Sequence, residues 1–197
     1  MKKMLILSLI AIQINSYCQE IDNEFVFYDT IQSEYLNERA IINIYLPPDY
    51  YNSKDSYPLQ VALGGYSRTR LYYSMNEYLS KTYQILDLNH LHTIPETIII
   101  GLGTAPPKNF ENFKKFIERE VIPYVESKYR KTGYKSLIGH SSDGEFVLYN
   151  LFRKDSPFHS FFCTAPTNSE NFGNQLNNKE TTDFLEKATW SLVAFII

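Results

Sequence analysis

The run Thr97-Ile-Ile-Ile100, closed by Gly101 and Gly103, is apolar on both faces, and this constrains the fold more than any other feature of the chain. A strand with water on one side alternates apolar and polar residues. A strand that is apolar on both sides belongs inside a sheet covered by helices, as in α/β folds. The flanking sequence fits that architecture. Tyr57-Pro-Leu-Gln-Val-Ala-Leu63 reads as a buried strand stopped by Gly64 and Gly65, and Leu71 to Leu86 carries helical spacing. Asn109 to Tyr129 places Phe113, Phe116, Ile117, Val121 and Val125 on one helical stripe, which Pro123 is expected to kink or divide. A strand Ser136-Leu-Ile138, a helix from about Ser142 to Arg153 and a strand Ser160-Phe-Phe-Cys-Thr164 follow. The βαβαβ alternation predicts a mostly parallel sheet with right-handed crossovers. Upstream, Ala40-Ile-Ile-Asn-Ile-Tyr-Leu46 alternates so as to put Ala40, Ile42, Ile44 and Leu46 on one face, and Pro47 and Pro48 end it.

No internal repeat, low-complexity tract or linker interrupts the 197 residues, so one domain is expected. A content of 44% hydrophobic and 21% charged residues suits an ordinary globular core. The net charge of -3 argues against a general nucleic-acid binder, which needs clustered Lys and Arg, and points to small molecules or proteins as partners. The 16 Tyr and 13 Phe fit ordinary core and surface use better than a dedicated aromatic site.

At the N-terminus, Lys2 and Lys3 precede the apolar run Met4 to Ile12 and a more polar segment with Ser16, Tyr17 and Cys18. This reads as a secretory signal peptide over 1–18, cleaved before Gln19, with a single domain over 19–197 in the periplasm or outside the cell. The apolar core is short for a bilayer span, so no stable membrane insertion is expected after cleavage. An uncleaved anchor and a lipid on Cys18 are the alternatives, the latter in a poor context because Tyr17 is not small. Cleavage leaves Cys163 as the only thiol of the mature chain and excludes an internal disulfide.

The chemistry is concentrated in Lys135-Ser-Leu-Ile-Gly-His-Ser-Ser-Asp-Gly-Glu-Phe146, which sets a serine where a short apolar strand turns into a helix. In a G-x-S-x-G elbow, a strained turn projects the serine hydroxyl from the sheet and aims the next backbone N–H at a developing oxyanion. Gly139, His140 and Ser141 fit the pattern, Ser142 supplies that N–H, and Asp143 stands where the second glycine belongs. An acidic residue in the first turn favours the helix dipole. Near a developing oxyanion the same charge opposes the reaction. Gly144 offers a way to shift the turn by one residue.

Four blocks in order carry a resemblance: Ile44-Tyr-Leu-Pro-Pro-Asp-Tyr50, Tyr57-Pro-Leu-Gln-Val-Ala-Leu-Gly-Gly65, Ile94-Pro-Glu-Thr-Ile-Ile-Ile-Gly101, and Phe116-Ile-Glu-Arg-Glu-Val-Ile-Pro-Tyr124 through Leu137-Ile-Gly-His-Ser141. Over about Ile41 to Asn168 the chain resembles the esterase D-like branch of the α/β-hydrolases, which includes siderophore esterases and mycolyltransferases. The resemblance implies an α/β-hydrolase-like, mostly parallel sheet with helices on both faces. It also implies an acyl-enzyme formed on Ser141, with oxyanion donors in the backbone N–H groups of Ser142 and Tyr66. The family pattern Leu-Asp-Gly is here Leu63-Gly64-Gly65, and those glycines equally suit a tight turn. The implied substrate is a siderophore ester, an acylated sugar or a simple acyl ester.

In that fold the acid and the histidine follow the serine on later strands, usually farther on than residues 142–197 reach. The chain is therefore expected to lack the last strand or strands, as a silent binding relative or a fragment of an active enzyme. His159 is the only histidine beyond Ser141, and its segment predicts a surface position. His90 and His92 form an H-x-H without a third ligand at metal spacing, so no metal is expected. Gly101-Leu-Gly103 lacks the remainder of a dinucleotide fingerprint, so no nucleotide cofactor is expected. Glu118, Glu120 and Glu126, set among lysines and arginines, are expected on the solvated face of their helix.

Overall fold

A computed structural model describes residues 26–64, 96–107, 109–164 and 166. The described strands are β1 (Val26–Ser33), β2 (Glu38–Tyr45), β3 (Tyr57–Ala62), β4 (Ile98–Leu102), β5 (Lys131–His140) and β6 (Ser160–Thr164). They form one sheet in the order β1-β2-β4-β3-β5-β6. The β1–β2 and β2–β4 pairs are antiparallel, and the three pairs β3–β4, β3–β5 and β5–β6 are parallel. This is the mostly parallel α/β sheet that the apolar runs predict.

The central strands divide their side chains between two faces, as strand geometry requires. Ile98, Ile100 and Leu102 join Ala40, Ile42, Ile44, Leu46, Leu59, Val61 and Leu137 in the main core. Ile99 points the other way, with Val26, Tyr45 and Ala62. The four residues of β2 and its exit expected on one face are there. β4 does not close at Gly101 as expected: Gly101 pairs with Asn43 on one side and Ala62 on the other, so the strand continues to Leu102. A glycine between two neighbouring strands can stay in the ladder because its backbone groups are used on both sides. In β3 the register against β5 shifts between Tyr57 and Leu59, where Pro58 has no N–H to donate.

The main core is covered by α1 (Phe110–Phe116), a π-helical turn (Ile117–Val121), α2 (Ile122–Lys128) and α3 (Ser142–Leu151). Asn109 starts α1 by accepting from the Asn112 N–H at 3.2 Å. Phe113, Phe116, Ile117, Val121 and Val125 are all fully buried, each contributing about 2 kcal/mol by its burial. Pro123 does not cut the helix where it stands. The irregularity lies one turn earlier, in the π turn, because a proline has no N–H and crowds the carbonyl four residues back, here that of Arg119.

The three glutamates expected on a solvated face are half-buried and tied down instead. Glu118 receives Lys114 at 2.9 Å, Glu120 accepts the Glu34 N–H at 2.9 Å, and Glu126 pairs with Lys135 at 2.9 Å and Lys131 at 3.5 Å. Lys114, 5% exposed in its side chain, also reaches Asp155 at 2.9 Å. Arg153 and Tyr149 meet on Glu111 at 3.0 and 2.7 Å, joining α3 to α1. Burial first, then that bond to Glu111, pushes the Tyr149 phenol up to about 12. The helix expected over Leu71 to Leu86 and the segment 1–18 lie outside the described residues. Among the described residues no helix is long and apolar enough to cross a membrane.

Candidate active site

The elbow strand is longer than the apolar triplet suggests, running from Lys131 to His140. It lies inside the described sheet, between β3 and the edge strand β6. From its end the chain turns through Ser141 directly into α3. Ser141 has φ 58° and ψ −124°. Among the described non-glycine residues only Asn37 shares a positive φ. A side-chain-bearing residue occupies that region at a steric cost of order 1–3 kcal/mol, so the surrounding structure must hold it there. The turn has therefore not slipped to Gly144; the strain sits on the serine itself.

Three contacts hold it. The Ser141 N–H donates to the Thr164 carbonyl at 3.0 Å, the Gly144 N–H donates to the Ser141 carbonyl at 2.9 Å, and helix α3 presses on the strand at Gly139. A Cβ on Gly139 would stand 2.7 Å from the Asp143 carbonyl oxygen and 2.9 Å from Val147 Cγ2. Glycine is required here by close approach of backbone to backbone. The tight strand–helix contact expected at position 143 is thus carried by Gly139, with the backbone of Asp143 as its partner. Gly144 meets the next strand instead: a Cβ there would lie 3.0 Å from Cys163 Sγ.

Ser141 occupies the N-cap position of α3, where a serine ordinarily turns its hydroxyl back onto the helix. Its side chain makes no such bond, so the hydroxyl is not spent on the cap. Ser142 is the first residue of α3 and is exposed. The first N–H groups of a helix have no acceptor inside it, and they carry the positive end of its dipole. Asp143 is 4% exposed, so its carboxylate is not in open solvent above the turn.

On the β3 side, the Leu63 N–H donates to the Ile138 carbonyl at 3.0 Å, so the chain leaves β3 beside the elbow. Gly64 then takes φ 110°, a left-handed conformation that suits glycine. Tyr66, the other expected oxyanion donor, lies outside the described residues, as do His90 and His92. Among the described residues no group of three or more His, Cys, Asp or Glu has metal-binding geometry.

His159 is exposed, as its sequence context predicts; its ring stacks on Tyr134 at 5.2 Å, and its Nδ1 accepts the Lys135 N–H at 3.2 Å. His140 keeps its Nδ1 2.8 Å from Thr164 Oγ1. The contacts of Thr164 and Cys163 with the elbow are what sequence reasoning missed. Their signal is positional: parallel pairing with β5 brings the end of β6 level with Gly139 and His140. Burial pushes the Cys163 thiol up to about 11, and its Sγ donates to the Gly144 carbonyl at 3.4 Å.

The family described as Putative esterase matches residues 33–193. No curated protein matches the chain significantly. Among solved structures, an IroE-like serine hydrolase from Shewanella oneidensis is similar with a TM-score of 0.68 at 21% identity, over 87% of this chain and 60% of that one. The BES protein from Bacillus cereus is similar with a TM-score of 0.69 at 20% identity, over 90% and 75% of the two chains. The siderophore hydrolase EstA from Aspergillus nidulans has a TM-score of 0.64 at 18% identity, over 87% and 68%. These likenesses show a shared fold, and this chain spans 60% of the length of the Shewanella hydrolase.

Proposed function

This chain belongs to the Putative esterase family, and on that footing we propose that it is a serine hydrolase that cleaves carboxylic esters through an acyl-enzyme on Ser141. The Ser141 hydroxyl attacks the ester carbonyl, and the charge that builds on the carbonyl oxygen is held by the backbone N–H groups of Ser142 and Tyr66. The C–O bond to the alcohol then breaks, the alcohol leaving with the proton that the serine gave up, and water attacks the acyl-serine to release the acid and return a proton to the serine oxygen. One observation carries the reading: Ser141 sits in a strained conformation between strand and helix with its hydroxyl unused by the helix cap. A strained residue held by its surroundings is characteristic of a functional position.

The substrate is a small ester. A siderophore ester is favoured by the name of the Aspergillus neighbour, beside an acylated sugar or a simple acyl ester. The charged and apolar order of residues 2–12 supports export, with 19–197 as a single exported domain in the periplasm or outside the cell. The net charge of -3 gives no support to nucleic-acid binding. A fluorophosphonate probe tests the reaction: the full chain is expected to take up one label per molecule, and Ser141→Ala none. A folded wild type that never labels would sink the reading.

A second reading, a relative that binds an ester without turning it over, is favoured by His159, whose Nδ1 is engaged by the Lys135 N–H. That reading expects saturable binding of a siderophore ester whose ester bonds remain intact.

A further inference from the structure

Strand β6 grips the elbow at three points. The Thr164 carbonyl accepts the Ser141 N–H at 3.0 Å, Thr164 Oγ1 lies 2.8 Å from His140 Nδ1, and Cys163 Sγ donates to the Gly144 carbonyl at 3.4 Å. The residues gripped are the serine, the one before it and the one three after it. Thr164 supplies two of the three contacts, one from its backbone and one from its side chain, and these fall on consecutive residues. Register explains why: His140 is paired with Thr164 and Gly139 with Cys163, so the last ladder position of β6 lies alongside the last residue of β5.

We infer that Thr164 is a positioning residue, whose hydroxyl holds the His140 ring and thereby fixes the turn that presents Ser141. The inference rests on the serine-hydrolase reading for its functional meaning, and on the hydrogen bond itself for its structural content. A backbone bond alone anchors Ser141 at one atom. A turn held at φ 58° also needs its preceding residue fixed, because a coupled change of His140 ψ and Ser141 φ, which swings the rigid peptide plane between them, would let the strain relax. The bond to the His140 ring opposes that swing. The backbone bond survives any substitution at 164 other than one that moves the strand, so the side-chain contribution can be removed by itself.

Thr164→Val keeps the branched shape and removes the hydroxyl; Thr164→Ser restores it. With a fluorophosphonate, Thr164→Val is expected to lower the maximal labelling rate on the order of ten- to a hundred-fold, with the probe's reversible binding constant unchanged. Thr164→Ser is expected to recover most of that rate, and all three proteins to melt within a few degrees of one another. Equal labelling rates in wild type and Thr164→Val would overturn the positioning role. So would a slow Thr164→Ser, because the hydroxyl would then not be the cause. Should the wild type fail to label, the serine-hydrolase reading fails separately, and the His140 ring decides the inference. Its Nδ1 nitrogen resonance is expected to move in Thr164→Val and return in Thr164→Ser. A resonance that is the same in all three would overturn it.

Discussion

The two helical regions packed on the main core are held by different means. Residues 110–128 are held by side chains: a fully buried stripe of Phe113, Phe116, Ile117, Val121 and Val125, with ion pairs around it. The β5–α3–β6 unit is held at its critical point chiefly by backbone, with Thr164 Oγ1 and Cys163 Sγ as side-chain ties beside it. Gly139 lies against the Asp143 carbonyl, and Ser141 and Gly144 are fixed by hydrogen bonds of the main chain. A side-chain interface has rotamers through which to relax, and residues 110–128 even absorb a proline by forming a π turn. A backbone contact has no such freedom. The strained serine lies beside such a backbone contact, which is what its proposed role as a nucleophile held at a fixed angle requires.

Gly139→Ala is the most severe way to test that difference. The new Cβ would meet the Asp143 carbonyl oxygen at 2.7 Å and its carbon at 2.8 Å, and neither is the end of a flexible chain. The expected cost is about 3 kcal/mol, at the upper end of overpacking, together with loss of fluorophosphonate labelling. Chemical denaturation and labelling of the same preparation measure both. A variant that keeps its stability and labels normally would show that strand and helix can separate, and the contrast between the two regions would disappear.

Within residues 110–128 the corresponding change is smaller. Lys114 is 5% exposed in its side chain and lies 2.9 Å from both Glu118 and Asp155. Burial by itself would lower its pKa, but the bonds to Asp155 and Glu118 outweigh this and raise it. Lys114→Ala removes the charge and the stem together and is expected to cost about 2 kcal/mol, since Asp155 is exposed and can regain water. Lys114→Met, which keeps the stem, is expected to cost about half as much. Equal losses would mean that charge, not filling, is what Lys114 contributes.

The same contrast decides what could be read from the sequence. Features that depend on a residue's own neighbours in the chain were legible: the alternation of Ala40, Ile42, Ile44 and Leu46, the stripe from Phe113 to Val125, and a serine between an apolar strand and a helix. Features that depend on distant partners were not. Glu120 reads as a solvated glutamate until the Glu34 N–H arrives from another part of the chain, and Glu126 until Lys135 does. Residues 131–135 carry no strand periodicity, and β5 extends through them because Tyr57 and Leu59 supply backbone partners. Asp143 was legible as a departure from the elbow pattern, but not its burial. Gly139 is the instructive case: its place in the motif was evident, while the atoms that forbid a Cβ became visible only once α3 lay against the strand.

A smaller effect separates the polar ties of the helical region from its apolar stripe. Burial would raise the Glu126 pKa, but the hydrogen bond and charge of Lys135, with Lys131 adding to them, lower it below 4.5. A carboxylate whose folded pKa is depressed contributes stability that is present above its unfolded value and lost as pH falls through the folded one. Stability is therefore expected to decline below about pH 4.5 in the wild type and to decline less steeply in Glu126→Gln. At neutral pH the two should differ by only about 0.5 to 1 kcal/mol, because both partners keep some contact with water. Parallel acid-unfolding curves for the two proteins would remove Glu126 from the set of ties.

The smallest expected effect is at His159, and it bears directly on the site. Its ring is exposed and stacked on Tyr134, and the hydrogen bond that the ring accepts, from the Lys135 N–H to Nδ1, is long at 3.2 Å. His159→Gln keeps an acceptor and removes the titratable ring. Stability is expected to change by less than about 0.5 kcal/mol, and the fluorophosphonate labelling rate by less than twofold. A general base removed from a serine nucleophile would instead slow labelling by orders of magnitude. If His159→Gln abolishes labelling while the melting curve stays put, the ring must reach Ser141 in a conformation other than the one stacked on Tyr134. The β5–α3–β6 unit would then be mobile where the contacts at Gly139 and Thr164 predict that it is rigid.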